Sequence, residues 1–165
     1  MANHRELDAV EEEKIQYIVV KIGDEQYGID IALVDNIVRM QQITRVPKVD
    51  DYIKGVINIR GEIVPVMSVR MKMGLEEDVI TNKSRIIILK TETGDLVGII
   101  VDQVNQVLTL DVNNIEKMRY DDKKGTANAQ FVGGVGHYDG GLVSILDLEA
   151  VVSEKEVKEK ASSAS

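Results

Sequence analysis

The chain has 165 residues, 44% of them hydrophobic, enough for one good core or two small ones. A formal net charge of −8 sets it against the phosphates of nucleic acid and against anionic membrane surfaces. Cysteine is absent, which removes disulfides, thiolate catalysis and thiolate metal sites. No apolar run or signal-peptide pattern leads toward a membrane, so the expected location is the cytoplasm.

Residues 1–14, MANHRELDAVEEEK, carry few apolar anchors and are expected to form a mobile tail. Ile15 to Ile22 and Gln26 to Ile31 flank Gly23, Asp24 and Glu25. Tyr27, Ile29 and Ile31 alternate with Gly28 and Asp30, the pattern of a hairpin with one buried face. The stretch Arg39 to Lys48, RMQQITRVPK, is the least regular part of the first half. Its Met40 and Ile43 are apolar loop positions on a path restrained by Pro47, suited to contact with another protein.

In Lys54 to Val66, KGVINIRGEIVPV, the alternation sends Ile57 and Ile59 one way and Val56, Asn58 and Arg60 the other, before a turn at Gly61 and Glu62. Arg60 is then a planar donor on a firm strand, suited to carboxylates or carbonyls of an approaching helix. Arg85 to Lys90 and Leu96 to Val101 form a second hairpin around Thr93, Gly94 and Asp95. Near the end, Asp147 is placed to cap a short helix with Leu148, Val151 and Val152 on one face. Residues 153–165 form the second polar tail.

The two hairpins correspond. Laying Gly28 on Gly98 pairs Ile29 with Ile99, Val34 with Val104, Ile37 with Val107 and Val38 with Leu108. Ile53 to Val69 can likewise be laid on Phe131 to Leu148, with Gly55 on Gly133, Gly61 on Gly140 and a one-residue insertion at Asp139. Two blocks in the same order indicate an internal repeat, hence two related β units. About five short strands per unit favour closed barrels over open sandwiches, because closure removes exposed edges. A groove between two such barrels is the natural binding place.

Catalytic and metal chemistry find little support. Ser144, His137 and Asp139 are close in sequence, but His137 and Asp139 flank a turn and no strand-to-helix elbow presents a nucleophile. Of two histidines, His4 lies in the tail. Asp50 with Asp51, and Asp121 with Asp122, lack the alternating pattern of a calcium loop and read as turn residues. Gly133 to Gly141 leads into a strand and lacks the Lys-Ser/Thr of a phosphate loop. One Phe and no Trp leave no aromatic face for oligonucleotide or oligosaccharide.

The runs YGIDIALVDNIVR (Tyr27 to Arg39), ITRVP (Ile43 to Pro47), YIKGVINIRGEIVPVMSVRMKMG (Tyr52 to Gly74), VGIIVDQVNQVLTL (Val97 to Leu110) and FVGGVGHYDGGLVSILDLEAVV resemble the CheW family of bacterial chemotaxis coupling proteins. The resemblance spans about residues 15–152. It implies an all-β fold of two tandem SH3-like five-stranded β-barrels with a short C-terminal helix, approximately 15–80 and 81–152, with residues 15–22 open to exchange between them. It also implies an adaptor that is not an enzyme and needs no cofactor, joining the regulatory domain of the histidine kinase CheA to the cytoplasmic tips of methyl-accepting chemoreceptors. Carried over by position, the receptor-binding surface would hold Val34, Asn36, Ile37, Gly55, Asn58, Arg60 and Val104. The kinase-binding surface would hold Met40, Ile43 and Val46. Where the family commonly has Glu, this chain has Asn36, so the resemblance implies that the ion pair with Arg60 is lost, leaving Arg60 freer or with Asp35 or Glu62 as alternative partners. The same module occurs within CheV and CheA, but the polar ends lead to the expectation of a free-standing adaptor.

Overall fold

Alternating and continuous apolar runs fold into eleven described strands, two short helices and 3-10 turns, in a computed structural model that describes residues 13–118 and 129–152. The expected tails, His4, and the turn at Asp121 and Asp122 lie outside the described residues, except for Glu13 and Lys14. Lys14 already belongs to the first strand, opposite Asp111.

One sheet has the order β8 (Gln103–Asp111), β1 (Lys14–Ile22), β2 (Glu25–Asp30), β11 (Gly141–Leu146), β10 (Val132–Tyr138), β9 (Ile115–Lys117). The other has the order β3 (Val34–Arg39), β6 (Arg85–Lys90), β7 (Leu96–Val101), β5 (Glu62–Ser68), β4 (Ile53–Ile59). The hairpin from each half is thus inserted into the sheet of the other half. A cut near residue 80 does not follow the sheets, because β1 and β2 pair with strands beyond residue 100 while β6 and β7 complete the sheet of residues 34–68.

Substituting β1 for β6, β2 for β7, β11 for β5, β10 for β4 and β8 for β3 turns the five-stranded order into the first five strands of the other sheet, which β9 extends to six. The register agrees as well: β5 runs parallel to β7 with Val66 beside Gly98, and β11 parallel to β2 with Ile145 beside Gly28. Within the β4–β5 and β10–β11 hairpins, however, Gly55 faces Val66 and Gly134 faces Ile145. Gly134, not Gly133, therefore answers Gly55, and no insertion at Asp139 is needed. Gly55 and Gly134, Val66 and Ile145, and the helix caps Ser68 and Asp147 all stand 79 residues apart.

Three apolar clusters explain the packing. Ile57, Val64, Val66, Ile86, Ile88 and Ile100 fill the first barrel, and Tyr17, Val19, Leu110 and Val143 the second. The largest lies between them: Ile18, Val20, Ile22, Tyr27 and Ile29 from β1 and β2 meet Ile87, Leu89, Ile99 and Val101 from β6 and β7. The exchanged hairpins are therefore buried on both faces, which is why RIIILK is a continuous apolar run. The space between the barrels is filled; a binding surface can use only its rim.

Two short helices seal this junction. In α1 (Val69–Lys72) the Ser68 hydroxyl accepts from the Met71 N–H at 3.1 Å, and in α2 (Leu148–Val151) the Asp147 carboxylate accepts from the Ala150 N–H at 3.2 Å. Val69, Leu148 and Val151 are buried in the junction cluster. The cap expected at Asp147 is thus present, with its counterpart at Ser68.

Candidate protein-binding surfaces

Strand β3 shows strict alternation of exposure, with Asp35, Ile37 and Arg39 outward and Val34, Asn36 and Val38 half-buried. Val34 packs on the junction cluster and Val38 on the core of the first barrel. Ile37 remains on the surface, 36% exposed. The 3-10 turn Ile31–Leu33 leading into β3 adds exposed Ile31 and Leu33, and its N-cap Asp30 accepts from the Ala32 N–H at 2.9 Å. On β8, Val104 packs on the junction cluster as Val34 does, while Val107 is 52% exposed. Two apolar strips thus flank the junction, related by the repeat. Ile31, which alternates with Tyr27 and Ile29 in the sequence and is expected there on a buried face, instead lies beyond the end of β2 and is exposed; Leu33 and Val107 carry no surface signal in the sequence, although Val107 aligns with Ile37 there.

The first-barrel glycine and its neighbours divide into different roles. Gly55 is buried with φ +142, and a Cβ on it would stand 2.2 Å from the Thr44 carbonyl oxygen. Thr44 and Val56 exchange two backbone hydrogen bonds, of 2.9 and 2.8 Å, across this contact. The repeat reproduces it: β9 runs beside β10, and a Cβ on Gly134 would stand 2.7 Å from the Glu116 carbonyl oxygen. Gly55 therefore admits the crossing of residues 43–45, and a bulky residue there would not leave the fold intact.

Asn58 is exposed, and its Oδ1 accepts from the Gly61 N–H at 2.9 Å. It shares a shallow hollow of about 310 Å³ with Gln41, Gln42, Thr44 and Ile63. Arg60 lies one residue beyond β4, in the two-residue turn to β5, with φ +51 followed by φ +86 at Gly61. Positive φ at both central residues is what a type I′ turn requires. Arg60 is thus at a hairpin tip instead of on the strand, and among the described residues it makes no ion pair with Asp35 or Glu62. Asn36 uses its Oδ1 on the N–H of Ile37, 2.9 Å away.

Met40 and Ile43 are half-buried against the first-barrel core, so they anchor the loop as well as line it. Val46 is 38% exposed. It opens onto an 840 Å³ depression lined also by Ile43, Pro47, Ile53, Met71 and Glu77. Lys54 Nζ stands 2.6 Å from Glu77 Oε1 on its rim, and this contact holds the Glu77 carboxyl below its usual range. The structure therefore packs Val34 and Val104 each against the junction cluster, and gathers Ile43 with Val46 at the depression. Asn58 falls beside the loop of the second group.

His137 is exposed, with Nε2 3.8 Å from Glu116, and faces Leu142 across its hairpin; Ser144 faces Val135. These positions do not assemble a nucleophile and base. Among the described residues no group of three or more acidic or His side chains could hold a metal ion, and no helix is long and apolar enough to cross a membrane.

The family model described as a CheW-like domain matches residues 16–156. Chemotaxis protein CheW of Bacillus subtilis is 35% identical over 84% of this chain and 86% of its own length. The CheW of Klebsiella aerogenes is 31% identical over 86% and 84%. Among solved structures, the scaffolding protein TtCheW from Thermoanaerobacter tengcongensis superposes with a TM-score of 0.77 at 31% identity, covering 86% of this chain and 94% of that one. With the exchanged double barrel and most of its length matched, this chain belongs to the CheW family.

Proposed function

We propose that this chemotaxis scaffold couples chemoreceptor cytoplasmic tips to the histidine kinase CheA, using two distinct surfaces, and that it sits at membrane receptor arrays through those partners. The observation that carries the reading is the pair of exposed apolar strips beside the barrel junction. Ile37 on β3 and Val107 on β8 stand out from half-buried Val34 and Val104. An exposed apolar strip of this kind suits the apolar face of an amphipathic helix, with i, i+3 and i+4 residues set on Ile37 or on Val107. Arg60, with no ion pair among the described residues, is available at its hairpin tip to a carboxylate or a helix C-terminal carbonyl.

The kinase surface is the loop of Met40, Ile43 and Val46. Its first two residues are anchored in the barrel core, so Val46 and the depression are held at a fixed place for a folded partner. Each site alone offers a modest area, and avidity across many linked contacts would supply the strength of an array.

Co-sedimentation with receptor-bearing membranes, with and without CheA, tests the reading. The chain should pellet with receptor membranes and carry the kinase with it. Recovery of neither partner would overturn the assignment.

A further inference from the structure

Asp102 is the one residue between β7 and β8, where the chain leaves the first barrel's sheet for the second's. Its N–H donates to the Lys21 carbonyl at 2.8 Å, and its Oδ2 accepts from the Gly23 N–H at 2.8 Å, so it is fixed to the β1–β2 hairpin of the second barrel. The same oxygen accepts from Arg70 Nη2 at 2.8 Å and Nε at 3.3 Å. Arg70 belongs to α1, which follows β5 of the first barrel. Both side chains are only 19% exposed, so screening by solvent is weaker than for a pair in open water.

The chain neighbours of this pair are informative. Asp102 leads within two residues to Val104, on the apolar rim. Arg70 is followed by Met71, which lines the depression that holds Ile43 and Val46. Apolar packing across the junction resists separation but is non-directional, whereas a planar guanidinium held through two nitrogens selects one orientation.

We propose that the Arg70–Asp102 ion pair is a positioning link between the two docking surfaces, fixing β8 and its rim against α1 and the loop of Ile43 and Val46. The inference rests on the coupling function proposed above and assigns that coupling a specific contact. Its role is to hold geometry.

The test uses the full chain as wild type, Arg70→Gln and Arg70→Lys. Binding to a receptor tip fragment and to CheA is titrated separately, thermal melting is recorded, and CheA autophosphorylation is measured on receptor vesicles. Arg70→Gln should bind each partner within about twofold of wild type and melt within a few degrees of it, yet lose about fivefold or more of the receptor-dependent kinase rate. Arg70→Lys keeps the charge without the fork and should recover part of that rate. Full kinase control with Arg70→Gln, or a loss that merely tracks weaker binding to one partner, overturns the inference while leaving the coupling reading in place. Failure of the wild type to bind either partner overturns both.

Discussion

Replacing Gly55 with alanine separates a packing role from a contact role. The new Cβ would lie 2.2 Å from the Thr44 carbonyl oxygen and 2.8 Å from Ile43 Cγ2, so residues 43–45 must move away. That movement breaks the two backbone hydrogen bonds between Thr44 and Val56, at about 1 kcal/mol each. A side chain at φ +142 adds strain on the order of 1–3 kcal/mol. The sum, about 3–5 kcal/mol, is a large part of the roughly 5–15 kcal/mol that holds a typical protein folded. At about 2–4 °C per kcal/mol for a chain of this size, the melting temperature should fall by roughly 6–20 °C. Gly61→Ala is the control: its φ is +86 with nothing within 4 Å of the added atom, so it should lose only about 1 kcal/mol. Melting followed by circular dichroism, with separate titrations of receptor fragment and kinase, reads the outcome. Because Ile43 and Val46 move with Thr44, kinase binding should weaken first. A stable Gly55→Ala protein that loses only receptor binding would refute this reasoning and make Gly55 a direct receptor contact.

Three further outcomes follow from the same geometry. A fragment of residues 1–80 leaves β3 without β6, and β1 and β2 without β8 and β11, so it should show no cooperative melt by circular dichroism; a sigmoidal transition would contradict the sheet exchange. Arg60→Ala should weaken binding of a receptor fragment by about 1 kcal/mol, with a melting temperature within a few degrees of wild type, and unchanged retention of the fragment would remove Arg60 from the surface. Burial raises the pKa of Asp78, whose Oδ2 accepts from the Ser68 hydroxyl and whose buried Oδ1 has no hydrogen-bond partner among the described residues. Since its folded pKa lies above its unfolded one, the folded state binds the proton more tightly, and stability falls as pH rises from about 4 through that raised value. Asp78→Asn should therefore gain on wild type between acid and neutral pH in paired melts, and a gain that does not vary with pH would show that Asp78 ionises freely.

The repeat was legible because Gly28 and Gly98 sit at matching places in the two hairpins, each close to a side chain of its antiparallel partner strand, Tyr17 and Ile86, with apolar positions around them that match. The offset of the second block was misjudged by one residue at Gly133 because adjacent glycines look alike in a sequence. What selects Gly134 is the passage of Glu116 beside it, a contact between residues far apart in the chain. The exchange of hairpins was illegible beyond residues 15–22 for a similar reason. Alternation says which face of Ile86 to Leu89 is buried, and here both are, but it does not say against which strand. A groove between the barrels was over-read: Val34 and Val104 each pack on the junction, but the space between the barrels is filled by Ile87, Leu89, Ile99 and Val101. Arg60 was placed on a strand because parity continues through it; the positive φ that puts it in a turn has no signature except the following Gly61.

Duplication gives the two halves equivalent hairpin tips, and the departures between the halves make those tips differ. The tip of the β4–β5 hairpin carries Arg60, and the matching tip of β10–β11 carries Asp139, so equivalent geometry displays opposite charge. Asn58 is answered by His137, and the single bridge at Thr44 by the three-residue ladder of β9. A partner that offers a carboxylate to the first tip would meet repulsion at the second. Discrimination between two similar sites needs such an unfavourable term as well as an attractive one. The exchanged hairpins then keep both tips in one cooperative body, since neither barrel can open without removing strands from the other.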